Sequence, residues 1–308
     1  MNVNPLTQIN LFEHKEIFNQ LYKLFKNDTL PNKILLSGEK GIGKSTLAYH
    51  LINLVLSENE EHPYDYENNK INPDNKSYKL ILNKSNPNFY LIDVLEEKKN
   101  IDINQIRELI IDLNKSSFNN KKRFVLVDNI ELLNLNSINA LLKILEEPNE
   151  NINFILINNN KRVLPTLKSR CLNFKVFLTK DQSIRIVNQL LNDDINTVIN
   201  NKLFDYYATP GKLFKLIKLS EVYDLDLNFD LNTTLTTVIK DKIYKKDKSI
   251  IEIIYSFIEL YFRNNISMEN ISLLKSYHYF LEKINNTRTY NLDEESLLME
   301  FEDKILNG

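Results

Sequence analysis

The chain has a single cysteine, Cys171, among its 308 residues. That excludes an intramolecular disulfide and a cysteine-based zinc cluster, and a reducing cytoplasm is the simple expectation. No uninterrupted apolar run approaches the roughly 20 residues of a membrane-spanning helix, so no membrane role is expected. Residues Met1 to Asn10 are polar and lack a signal-peptide pattern. Net charge is −2, so the chain as a whole does not grip nucleic acid electrostatically, and any such contact has to be local. Glycine is scarce, whereas Asn, Lys and Ile are abundant. That bias fits an AT-rich genome, and single surface asparagines carry little weight.

The hydrophobic fraction of 43% suffices for sizeable cores, and 26% charged residues is ordinary for a soluble protein. The length has room for roughly two or three domains. Gly38-Glu39-Lys40-Gly41-Ile42-Gly43-Lys44-Ser45 fits G-x-x-x-x-G-K-[ST] at every fixed position. The apolar run Ile34-Leu35-Leu36 before it reads as a buried strand. Leu47, Ala48, Leu51, Ile52, Leu54 and Val55 after it read as the packed side of a helix. Glycines let such a backbone wrap a phosphate, and the amides that open the helix, through Thr46, point at it. Lys44 would reach the terminal phosphates of ATP, and the Ser45 hydroxyl would hold Mg²⁺. The alternative is a loop that keeps this shape without its ligand.

The first half alternates strand-like and helical patterns, which predicts an α/β domain with a parallel sheet and flanking helices. Candidate strands are Ile34–Leu36, Phe89–Ile92, Phe124–Val127, Phe154–Ile157 and Asn173–Phe177. One helical pattern runs through Ile103, Ile106, Ile110 and Leu113. Another runs through Ile138, Leu141, Leu142 and Leu145, opened by Asn136-Ser137 and stopped by Pro148. Ser57 to Pro87 is polar and reads as a surface insertion. After about Thr179 the alternation stops. Ser183–Leu191 and Leu213–Leu219 look like short helices of a small second domain. A weak linker, Glu221 to Asn232, precedes apolar runs at Ile250–Phe262 and Ile271–Ile284. The expected division is residues 1–178, 179–220 and 221–308. The basic cluster Lys240–Lys248 reads as a solvated loop or helix end, with a DNA-phosphate contact as the alternative.

A phosphate loop needs a metal-organising acid at the end of another buried strand. Phe124-Val125-Leu126-Val127-Asp128 supplies it, and Asp128 would bind Mg²⁺. Many ATP-hydrolysing enzymes place a glutamate directly after this acid to handle the attacking water. Here Asn129 follows, and an amide takes no proton at neutral pH. Glu131 stands two positions further on, where its side chain is expected to point elsewhere. The site is therefore expected to bind ATP and to cleave it poorly.

Asn136 to Pro148 contains Asn139-Ala140-Leu141-Leu142-Lys143-Ile144-Leu145-Glu146-Glu147-Pro148, which resembles the N-A-L-L-K-x-L-E-E-P element of bacterial clamp-loader ATPases. Leu164-Pro165-Thr166-Leu167-Lys168-Ser169-Arg170-Cys171 resembles the L-P-T-x-x-S-R-C element of the same family. With the phosphate loop, these look like the AAA+ subunits of the DNA polymerase III clamp loader over Pro5 to about Gly211. The resemblance implies an AAA+ nucleotide domain, a small helical lid and an all-α C-terminal collar. The delta-prime pattern fits best: Asn86-Pro87-Asn88-Phe89-Tyr90 leads into Ile101-Asp102-Ile103-Asn104-Gln105-Ile106-Arg107. Asn129 in place of the catalytic glutamate, an end after one helical domain, and Lys212 where the second sensor arginine usually stands all set the chain apart from the gamma/tau pattern. Lys keeps that charge and loses the planar fork. The four-cysteine zinc module usual in both subunits is missing, its place taken by Ser57–Pro87, so no zinc is expected.

An Arg after a Ser is commonly a surface ion-pair residue. Within Ser169-Arg170-Cys171 the resemblance implies an arginine finger offered to the ATP site of a neighbouring subunit. It also places a γ-phosphate sensor at Asn158 or Asn159, with Asn159 favoured. Cys171 reads as a packing residue. His14, His50, His62 and His278 show no metal-ligand spacing and read as structural or surface. The implied role is a mainly structural subunit in a ring with gamma/tau and delta subunits, which loads a sliding clamp onto primed DNA. An active gamma-type ATPase is the alternative.

Overall fold

The computed structural model describes residues 4–95, 98, 100–115, 121–146, 151–200, 203, 208–246, 250–266 and 271–307. It divides into two compact units, Met1–Gln182 and Ser183–Gly308.

The first unit is built on five parallel strands: β1 (Lys33–Ser37), β2 (Phe89–Ile92), β3 (Arg123–Val127), β4 (Ile152–Asn158) and β5 (Leu172–Lys175). Their order is β2-β3-β4-β1-β5. Every residue of β3 and β4 is buried, as expected of central parallel strands covered on both faces. The edge strands β2 and β5 are more exposed along their length. The strand expected at Asn173–Phe177 starts one residue earlier and ends two earlier; Val176 still donates its N–H to Ser37 O at 2.8 Å.

Strand alternation sends Leu35, Val125, Val127, Phe154 and Leu156 to one face, where they meet Ile106, Leu109, Leu141 and Leu145 of α4 (Ile103–Leu113) and α5 (Leu135–Glu146). The helix expected to open at Asn136-Ser137 opens two residues earlier. Asn134 is its cap: its side chain accepts from Ser137 N and Ser137 Oγ at 2.9 and 3.0 Å. The Pro148 stop and the Glu147-Pro148 end of the motif lie outside the described residues. On the sheet's other side, α2 (Lys44–Leu56) packs on β4, on α1 (Lys15–Lys26) and on α3 (Lys76–Leu82). Covered this way, α2 is buried nearly all round.

The segment 57–87 is largely exposed, as expected of a surface insertion, but it is anchored by buried side chains. Tyr64, Asn69, Ile71, Asn75, Ser77, Tyr78 and Ile81 are all buried. Asn75 and Asn86 turn their side chains to the interior. Asn75 Oδ1 caps α3 through Tyr78 N at 2.8 Å, and the Asn53 and Asn75 amides pair at 3.1 Å. Tyr64 packs at a tilt against Phe18, and Tyr66 against Tyr22, with centroids 5.4 and 4.2 Å apart.

The second unit is helical. After α7 (Lys180–Leu191), whose first turn belongs to the first unit, come α8 (Ile195–Val198), α9 (Pro210–Tyr223), α10 (Leu231–Lys240), α11 (Ile243–Lys246), α12 (Ile251–Asn265), α13 (Ile271–Tyr290) and α14 (Glu294–Phe301). The expected linker 221–232 is helical at both ends: α9 runs to Tyr223 and α10 begins at Leu231. Buried side chains from Val187 to Phe301 form one hydrophobic cluster, so the segments expected as lid and collar share a core. The basic cluster is partly paired where described. Lys242 and Lys245 both pair with Glu295, at 2.9 and 2.6 Å. Asp247 and Lys248 lie outside the described residues. Among those described, no helix is long and apolar enough to cross a membrane.

His50 makes one prediction for the first unit. Its Nε2 faces Gln8 O at 3.0 Å and its Nδ1 faces Tyr64 Oη at 2.8 Å, which fits the neutral Nε2–H form. Burial pushes the imidazole down to about 4, opposed only by the Gln8 carbonyl. Above the unfolded value of 6.5 both states are neutral and this contribution is complete. Below it the unfolded chain takes up a proton that the folded chain refuses, so stability falls as pH drops from about 6.5 to about 4, by up to roughly 3 kcal/mol. Urea melts across this range should show that loss, and His50→Gln should flatten it. Equal slopes in both proteins would dismiss the assignment.

Candidate nucleotide site

The candidate site lies at the carboxyl ends of β1, β3 and β4, the edge of a parallel sheet where ligands are commonly bound. β1 delivers Gly38. A Cβ there would stand 2.3 Å from Val176 O and 2.6 Å from Ile42 Cδ1, so only glycine fits. Gly41 and Gly43 have φ of 87° and 92°. Gly43 is the N-cap of α2 and has no side chain with which to cap it. The first amides of α2, at Lys44, Ser45 and Thr46, have no intrahelical acceptors, which suits an anion.

The Lys44 ammonium is wrapped by three oxygens: Gly38 O at 3.0 Å, Glu39 O at 2.6 Å and Asn159 Oδ1 at 2.9 Å. Burial lowers its pKa to about 8, against the pull of Asp128, Glu131 and Glu39. Ser45 Oγ donates to Asp128 Oδ2 at 2.8 Å. Burial raises the Asp128 carboxyl; the Ser45 hydrogen bond opposes this, and Asp93 adds repulsion. A hydroxyl beside a carboxylate in an acidic pocket is a donor set for a hard divalent cation. Among the described residues no group of three His, Cys, Asp or Glu side chains is placed to hold a metal. Ser45 and Asp128 are the residues that would hold Mg²⁺ here.

Of the two candidate sensors, Asn159 faces Lys44, whereas Asn158 Nδ2 turns to Lys161 O at 3.1 Å. Glu131 overturns its expectation. Its Oε1 accepts from Asn159 Nδ2 at 2.7 Å and its Oε2 from Asn159 N at 3.4 Å. The cause is local backbone: Asn129 adopts φ 63°, ψ 64°, and a 3₁₀ turn, Ile130–Leu132, follows. Counting along an extended strand misses this reversal.

Arg170 is not among those contacts. It follows α6 (Pro165–Lys168), and its guanidinium donates to Thr166 O at 2.7 Å and to Glu146 Oε1 at 2.6 Å. Cys171 is half-buried, and burial pushes its thiol up to about 11, so it is no nucleophile at neutral pH. Lys212 belongs to the second unit, in the first turn of α9, where its N–H faces Thr209 Oγ1 at 3.4 Å.

Sequence reasoning passed over His14 as a functional residue. Its Nε2 meets Ile42 O at 2.5 Å and lies 3.2 Å from where a Gly43 Cβ would be. Burial lowers its pKa, which favours the neutral Nε2–H donor. His14 thus braces the phosphate loop from outside. The contact spans 28 residues, and no local pattern announces it.

This fold and this loop define a P-loop protein of the AAA+ architecture. A family profile described as DNA polymerase III, delta subunit, matches residues 13–179. The DNA polymerase III subunit delta' of Pseudomonas aeruginosa is 32% identical over 138 residues, 44% of this chain and 40% of that protein. The subunit gamma of Buchnera aphidicola subsp. Acyrthosiphon pisum is 31% identical over 153 residues, 49% of this chain and 39% of that one. The chain thus spans about two fifths of the length of these relatives. The subunit delta' of Buchnera aphidicola subsp. Schizaphis graminum aligns over 87% of this chain and 83% of its own length at 24% identity. A gamma subunit-related protein from Thermotoga maritima shares the fold, with a TM-score of 0.50 at 20% identity over 91% of this chain and 96% of that one. The chain belongs to the DNA polymerase III delta-subunit family, as a clamp-loader subunit of the delta-prime type.

The brace makes a prediction. His14→Ala leaves the buried Ile42 carbonyl without its donor, which should cost about 1–3 kcal/mol. Amide hydrogen exchange across Gly38–Ser45 should quicken in the variant. Unchanged exchange there would show that the loop holds its shape unaided.

Proposed function

We propose that this chain works as a delta-prime-type subunit in a hetero-oligomeric clamp loader with gamma/tau and delta subunits. The assembly loads a sliding clamp onto primed DNA in the cytoplasm. Lys44, Ser45 and Asp128 bind ATP and Mg²⁺ together with Gly38, Gly41, Gly43 and Thr46. Asn159 senses the γ-phosphate. The observation that carries the reading is the joining of Lys44 to Asn159 and of Ser45 to Asp128 in a chain of this family. The chain's own turnover is slow, because the residue directly after Asp128 is an amide that takes no proton. Its main catalytic service is Arg170, offered to the neighbour's ATP, where a guanidinium offsets charge developing on the γ-phosphate.

A second reading, a gamma-type motor subunit, draws on the carboxylate of Glu131 beside Asn159. Steady turnover by the purified chain, lost in Lys44→Ala, would favour it.

The ion pair of Arg170 with Glu146 is partly solvent-exposed, and such pairs contribute at most about 1 kcal/mol. Arg170→Ala should therefore fold normally. In an assembly reconstituted with gamma/tau and delta subunits it should lower ATP turnover by about 10³-fold, the scale of a lost arginine finger. Full turnover and clamp loading with Arg170→Ala would sink the finger assignment.

A further inference from the structure

Two side chains converge on one amide nitrogen at this site. Asn159 Nδ2 donates both to Glu131 Oε1 and to Asn129 Oδ1. The Glu131 carboxylate and the Asn129 amide are therefore immediate neighbours. An acid lies where Asn129 supplies none, although it comes from another position in the sequence. The turn that brings it is well anchored: Ile130 is buried in the core beneath the sheet, and Leu132 N bonds back to Asn129 O at 2.9 Å.

Glu131 is also electrically part of the site. Its charge attracts the Lys44 ammonium and repels the Asp128 carboxylate. The Asn159 side chain bridges it to Lys44 directly, with Nδ2 on the acid and Oδ1 on the ammonium. Asp93, the other acid beside Asn129, is differently engaged. Its Oδ1 accepts the N–H of Val94 at 2.7 Å and the Asn129 amide at 3.5 Å. Glu131 is the acid bonded to the candidate sensor and, through that amide, linked to the phosphate-loop lysine.

We propose that Glu131 orients and deprotonates the attacking water at the ATP site, in place of the residue that follows Asp128. The inference rests on reading Gly38–Ser45 as an ATP site. The water oxygen forms a bond to the γ-phosphorus while its proton passes to the Glu131 carboxylate. The bond from the γ-phosphorus to the β–γ bridging oxygen breaks, and ADP leaves with the electron pair. Glu131 returns the proton to solvent. Asn159 holds the carboxylate at its station, which makes it a positioning residue for this step as well as a phosphate contact.

Glu131→Gln separates proton acceptance from positioning, because a glutamine oxygen still accepts from Asn159 Nδ2. The test uses the full chain in excess over γ-labelled ATP with Mg²⁺, in a single turnover that records bound nucleotide and released phosphate together. The expected result is slow cleavage by the unaltered chain, and about 10²-fold slower cleavage by Glu131→Gln with ATP affinity within about threefold. Cleavage by Glu131→Gln at the original rate would overturn the proposal. So would an unaltered chain that binds ATP and never cleaves it. A variant that loses binding altogether would make Glu131 a positioning residue and remove its catalytic role. An unaltered chain that binds no ATP would defeat the ATP-site reading itself, seen as the absence of bound nucleotide.

Discussion

An ammonium group taken out of water must have its protons accepted by the protein, or burial expels the charge. Lys44 is 3% exposed and meets that demand with two backbone carbonyls and one side-chain amide. Much of the first unit's geometry follows. The carbonyls of Gly38 and Glu39 can turn inward only if the loop is tight, which requires glycine at Gly38, Gly41 and Gly43. The amide oxygen of Asn159 can arrive only if β4 ends level with β1, and their register pairs Ser37 with Asn158. Acids must stand close enough to favour the charge without binding it directly, as Asp128 and Glu131 do.

The same requirement explains which parts of the site were legible in the sequence. The loop, Lys44, Ser45 and Asp128 were readable because the chemistry fixes both their residue types and their places at strand ends. Three of the five glycines fall within this one loop, a concentration that few other structures would need. The central strands were readable as continuous apolar runs. β5 was less so, with Leu172 half in solvent and Val176 extending its pairing beyond the strand. The cap at Asn134 was missed because Asn136-Ser137 offers the same residue types two positions later.

The asparagines were the larger loss. In a chain rich in them, each looks like compositional noise. Yet Asn53 with Asn75, Asn129 with Asn159, and Asn134 at a helix start all bear hydrogen bonds that shape the interior or the site. An amide that donates and accepts can close a buried polar network without bringing in a charge. That is how the segment 57–87 can be polar in composition and still be anchored by buried side chains. His14 and Glu131 were beyond sequence reasoning for a different reason: each acts on a partner 28 residues away, across a fold that had first to be built.

Asn129 occupies the left-handed region of backbone space, which asparagine tolerates better than most side chains. A substitution that put glutamate there would place a longer acid on a backbone that disfavours it, at about 1–2 kcal/mol. It would also set a second carboxylate against Glu131. At this turn the familiar acid would therefore meet both a backbone cost and a like charge.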